Sequence, residues 1–94
     1  MNVGTESPWG TIDYCKEING VFIVGTPSHG GIFVPDELLS QIPAKERRFA
    51  AYWSHGWGEN WFEEDCAAIS PAYHFKLDPE VFDKCYPKQT WEIR

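Results

Sequence analysis

Between Thr11 and Ile18 apolar and polar residues alternate, with Ile12 and Tyr14 set against Asp13 and Cys15, the pattern of a half-buried strand. Asn19-Gly20 follows, a dipeptide that favours the tight turns joining antiparallel strands. The next four positions, Val21-Phe22-Ile23-Val24, are all apolar and mostly β-branched or aromatic, which predicts a central strand covered on both faces. Gly25-Thr26-Pro27-Ser28-His29-Gly30-Gly31 interrupts that run, and Ile32-Phe33-Val34 predicts a third short strand returning from the loop. A three-stranded antiparallel meander is the simplest assembly.

The pattern then turns helical. Pro35-Asp36-Glu37-Leu38-Leu39 has acids where a helix amino end is positive, and Pro43 stops the helix after Ile42. A second helix is expected from Ala44 to Trp53, with Lys45, Arg47 and Arg48 on the wet side and Phe49, Tyr52 and Trp53 turned to the core. Ser54 to Asn60 reads as a glycine-punctuated loop. From Trp61 to Ile69 the acids Glu63, Glu64 and Asp65 suggest another helix start, and Asp78-Pro79-Glu80 a cleaner one, leading through Phe82 to Cys85. Residues 1–8 are read as a loose arm, closed by a turn that tucks Trp9 onto the core. The expected class is α+β: a small antiparallel sheet of about three strands packed with short helices, one domain over residues 1–94.

Composition supports that assembly. A chain of 94 residues is too short to divide into two halves that each bury a core, and 43% hydrophobic with 16% aromatic residues exceeds what a disordered segment carries. Fourteen acids against eight Lys and Arg leave a formal charge of −6, which opposes direct binding to phosphate backbones and favours a basic partner. The excess is uneven: residues 59–94 hold eight acids and four Lys or Arg. Three scattered cysteines with no C-x-x-C pair fit a reducing compartment, and the cytoplasm is the expected location. Neither a signal peptide nor a membrane span is expected.

Two groups of residues carry candidate chemistry. In Thr26-Pro27-Ser28-His29-Gly30-Gly31 the proline restricts the backbone, the glycines permit close approach and His29 supplies a proton carrier; the bland reading is a tight strand connection. Cys66 together with His29, and with Glu63 or Glu64 as acid–base group, would form the core of a small hydrolase or transferase-like enzyme. Against this, three preceding acids raise the thiol's pKa and reduce its thiolate fraction. His29, His55, His74 and the three cysteines lie at no metal-ligand spacing, so neither a metal nor a cofactor is expected. The second group is the acidic run Glu59, Glu63, Glu64 and Asp65 interleaved with Trp57 and Trp61. Acids of this kind steer basic partners and aromatics anchor them, while the bland reading is a capped helix start.

Pro8-Trp9-Gly10, Thr26-Pro27-Ser28-His29-Gly30-Gly31-Ile32, Ile42-Pro43 with Arg47, and Trp61-Phe62-Glu63-Glu64-Asp65-Cys66 together resemble the ordered signature of an uncharacterised small domain of phage, plasmid and other mobile-element proteins. The resemblance runs from Trp9 to about Phe75. The chain departs from the pattern in carrying Phe62 where Tyr is usual, in the insert from Phe49 to Asn60, and in having no aromatic just after Cys66. No activity is implied, only a mobile-element setting. Small acidic proteins of that setting often occupy nucleic-acid-binding surfaces of host nucleases, so the leading expectation is an inhibitor of a host defence complex, of anti-CRISPR or antirestriction type, that meets a basic surface through Glu59, Glu63, Glu64 and Asp65 with Trp57 and Trp61 as anchors. A module with only structural work is a third reading, and it expects the motif residues to be buried.

Overall fold

A computed structural model describes residues 1–64 and 67–77 of the chain. Its centre is a four-stranded antiparallel sheet of β3 (Tyr14–Ile18), β4 (Val21–Gly25), β5 (Gly30–Phe33) and β6 (Trp61–Glu63), in that spatial order. The expected meander is present as β3–β5, with β6 added as a fourth strand. A separate two-stranded ribbon pairs β1 (Glu6–Ser7) with β2 (Gly10–Thr11). Among the described residues there are three short helices as well: α1 (Asp36–Leu39), α2 (Ala44–Trp53) and α3 (Ile69–His74).

The Asn19-Gly20 turn works as its sequence predicts, since both residues hold positive φ, 54° and 88°, as a two-residue hairpin turn of this hand requires. Its Asn19 side chain also donates to the Phe75 carbonyl at 2.8 Å, tying the hairpin to the end of α3. From there the register sets the layers. Lys16, Ile23, Ile32 and Phe62 lie in one cross-strand row, and Cys15, Val24, Gly31 and Glu63 in the next. Because side chains alternate along a strand, these two rows project to opposite faces. On one face Val21, Ile23, Ile32, Val34 and Phe62 form a core with Ile42, Ala50, Ala67, Ala68, Phe75 and Leu77 from the helical side. The other face buries Val24 and Trp61 with Ile12, and Trp9, Phe22 and Phe33 pack against them. Hence β4 is an unbroken apolar run: both of its faces are covered.

Three expectations need correction. Trp61–Glu63 is a strand rather than a helix start, because the exposed side of glycine-rich β5 takes a pairing partner there, with Phe62 filling one core and Trp61 the other. The segment read as a loose arm carries β1 and is tied further by Gly4 N–H to the Ile12 carbonyl at 2.8 Å and Ile12 N–H to the Thr5 carbonyl at 2.8 Å. Helix α2 has the expected bounds and keeps Lys45 and Arg48 in water, but its aromatics do not turn to the core: Phe49, Tyr52 and Trp53 are exposed, and the only buried residue of the helix is Ala50. The small side chain lets the helix approach β6 closely, whereas an aromatic stripe would hold it away. The helix read from Asp78 to Cys85 lies outside the described residues.

Candidate functional site

The loop between β4 and β5 is a closed turn. Thr26 N–H donates to the His29 carbonyl at 2.7 Å, and the Thr26 hydroxyl donates to the same carbonyl at 2.6 Å while accepting from His29 N–H at 3.1 Å. This double use of Thr26 fixes the backbone of His29 at the mouth of β5. Gly31, two residues on, sits beneath Trp9: a Cβ placed there would lie 2.4 Å from the indole and 2.5 Å from the Phe62 carbonyl oxygen. Only a glycine permits that approach. The Trp9 ring meets Trp61 edge-on at 5.8 Å between centroids, and Trp61 meets Phe33 at 4.7 Å. Three stretches far apart in sequence, around Trp9, His29 and Trp61, are thereby assembled into one place.

Pairing of β5 with β6 then brings the acids to His29. Glu63 is opposite Gly31 in the ladder, and the Glu64 N–H donates to the Gly30 carbonyl at 3.0 Å. As a result the His29 Nδ1 lies 3.7 Å from a Glu63 carboxylate oxygen and 3.5 Å from one of Glu64. The three donor atoms fall within 4.8 Å of one another. Glu63 is only 8% exposed, while the His29 side chain keeps 51% of its surface open to solvent. A histidine against two carboxylates can hold a proton, exchange one, or bind a cation.

The remaining predicted site residues are dispersed. Trp61 is buried in the second core, so the ring is part of the packing rather than of the free surface. Glu59, on the loop before β6, lies 3.4 Å from the Arg47 Nε, and Arg47 in turn donates to the Ile42 carbonyl at 3.1 Å. Far from lying on the wet side of α2, Arg47 is half-buried and clamps the chain between α1 and α2. Trp57 is exposed, with its ring 6.1 Å from that of Trp61. Asp65 and Cys66 lie outside the described residues. Of the other cysteines Cys15 is a free thiol, and burial pushes it up from its ordinary pKa, which disfavours the reactive thiolate.

Over residues 2–92 the chain matches the family described as Domain of unknown function (DUF7007). It belongs to the DUF7007 family. No curated protein and no solved structure matches it significantly. Membership agrees with the resemblance to an uncharacterised small domain, and in this DUF7007 chain the quoted motifs around Trp9, His29 and Trp61 are neighbours in space. No helix among the described residues is long and apolar enough to cross a membrane.

Sequence reasoning missed two features of the DUF7007 chain. One is the second histidine–carboxylate contact, His74 Nε2 to Glu46 at 3.2 Å, where Ser70 also donates to the same carboxylate oxygen; it joins α2 to α3, and nothing in residue spacing signals it. The other is the exposed aromatic face of α2. Its signal was present in the alternative helical stripe Glu46, Ala50 and Ser54, whose small members permit close packing.

Proposed function

We propose that this DUF7007 chain acts by binding another protein, as an inhibitor of a host defence nuclease complex of anti-CRISPR or antirestriction type. The observation that carries the binding reading is the exposure of large aromatic rings: Phe49, Tyr52 and Trp53 on α2, with Tyr52 76% exposed, and Trp57 on the following loop. Large aromatic rings clustered in water on one helix and the loop after it supply the kind of anchor on which protein interfaces depend. The class of partner rests on the mobile-element setting implied by the resemblance and on the net charge of −6, which attracts a basic nucleic-acid-binding surface at long range.

In this reading the anchors are Trp57 and the α2 rings, since Trp61 is buried, and the acids divide into two groups. Glu59 stays partly exposed beside Arg47, whereas Glu63 and Glu64 face His29. Binding therefore combines charge steering with apolar contact, and it persists at high salt better than an acid-only surface would. Tagged protein purified from its host at low and high salt should retain a stoichiometric nuclease subunit and lower that complex's cleavage activity. The double variant Tyr52→Ser/Trp57→Ser should lose both while keeping its circular dichroism spectrum. Unchanged cleavage in the presence of saturating wild-type chain would overturn the proposal.

A second reading, a small hydrolase or transferase-like enzyme using His29 and Cys66, is favoured by the 3.5 Å approach of His29 to Glu64, which offers an acid–base pair. It is distinguished from the first by turnover that Cys66→Ser abolishes without affecting partner binding.

A further inference from the structure

The geometry points to His29, Glu63 and Glu64 as a binding site for a divalent first-row transition-metal cation, held by one imidazole nitrogen and two carboxylate oxygens. The donor set is chemically suited to such an ion, since imidazole and carboxylate are both ordinary ligands of zinc. The spacing is suited as well. Donors bound at about 2.0–2.2 Å around a tetrahedral or octahedral ion stand roughly 3–3.5 Å apart, and the His29 Nδ1 already lies 3.5 and 3.7 Å from the two carboxylates.

Backbone constraints hold all three ligands. The Thr26 hydroxyl and amide pin His29, the β5–β6 ladder pins Glu63 opposite Gly31, and the Glu64 amide is tied to the Gly30 carbonyl. A site whose ligands are placed before the metal arrives loses little conformational freedom on binding. The half-open His29 side leaves room for water or an exogenous ligand to complete the coordination shell, as in metal sites with three protein ligands. Residue spacing does not announce this site, because the histidine precedes β5 and the acids lie at the end of β6, and they meet only through the pairing of those two strands.

The test is calorimetric titration of the full chain with zinc chloride at neutral pH under reducing conditions. Saturable binding of one zinc per chain is expected, with affinity falling at least tenfold in His29→Ala and in Glu64→Gln. His74→Ala, which removes the other histidine–carboxylate contact, should leave the affinity unchanged. His29→Ala alters a half-open side chain and Glu64→Gln keeps the shape of one that is 11% exposed, and circular dichroism checks the fold of both; the conservative Glu64→Gln covers the case in which His29→Ala disturbs the turn. Cobalt substitution gives a second readout: its spectrum should lack the thiolate-to-metal charge-transfer band that cysteine ligation produces. No saturable binding by the wild type, equal affinity in the His29 and Glu64 variants, or a thiolate band would each overturn the assignment.

Discussion

Gly31 shows how one missing side chain sets the position of several others. Its neighbours leave no room for a Cβ, with the Trp9 indole on one side and the Phe62 carbonyl on the other. The indole can tilt, but the carbonyl belongs to the strand that pairs with β5 and can withdraw only by weakening that ladder. Gly31→Ala should therefore destabilise the chain by about 2 kcal/mol or more, the scale of overpacking in a closed site. Gly25→Ala is the control: a Cβ there meets the Tyr14 Cβ at an ordinary 3.5 Å, so its effect should stay within about 0.5 kcal/mol. Urea denaturation of the two variants measures the contrast. At this scale the sequence was legible in type, because paired glycines after a histidine mark a close approach. What approaches was not legible, since Trp9 arrives from a different part of the chain. The same holds for His29, whose partners Glu63 and Glu64 are chosen by strand pairing rather than by spacing.

Among the elements, α2 and β6 separate what local pattern can specify from what packing specifies. The limits of α2 follow from Pro43 before it and the glycine-rich loop after it, and these are local facts. Its rotation about its own axis is not local. Two stripes compete, one aromatic and one of small residues, and hydrophobicity alone favours the aromatic one. The sheet selects the other, because Ala50 fits against a surface already filled by Phe62 and Ile32. Ala50→Asp should consequently unfold the chain or cost about 4 kcal/mol, as expected for an unpaired charge placed in a core. Tyr52→Ser should change stability by no more than about 0.5 kcal/mol. Thermal unfolding followed by circular dichroism checks both, and a large loss in Tyr52→Ser would return the aromatic face to the core. In sequence the three acids after Phe62 read as a helix amino end, an effect worth up to about 1 kcal/mol. Closing the ladder on β5 while burying Trp61 and Phe62 outweighs it, at about 1.5–3 kcal/mol for each large side chain removed from water.

For the molecule as a whole, the sheet is the shared wall of two cores. Val21, Ile23, Ile32 and Phe62 serve the helical side, and Val24 and Trp61 serve the side covered by Trp9 and Ile12. Since alternate residues of the same strands supply both, neither core can persist without the other. Equilibrium unfolding should then be a single transition, with the fluorescence of Trp9 and Trp61, read in a variant whose other tryptophans are replaced by Phe, coinciding with helical circular dichroism, which reports the other side. Two separated midpoints would show that the ribbon side opens independently. By itself the sequence determined the meander, the Asn19-Gly20 turn, the limits of α2 and the acidic balance, all of which depend on residues near one another or on composition. Only the tertiary structure decided that Trp61–Glu63 joins the sheet, that the α2 aromatics face water and that His29 meets Glu63 and Glu64. Those outcomes depend on which surfaces are already occupied when distant segments meet, and that competition for space is not encoded in any local window of the chain.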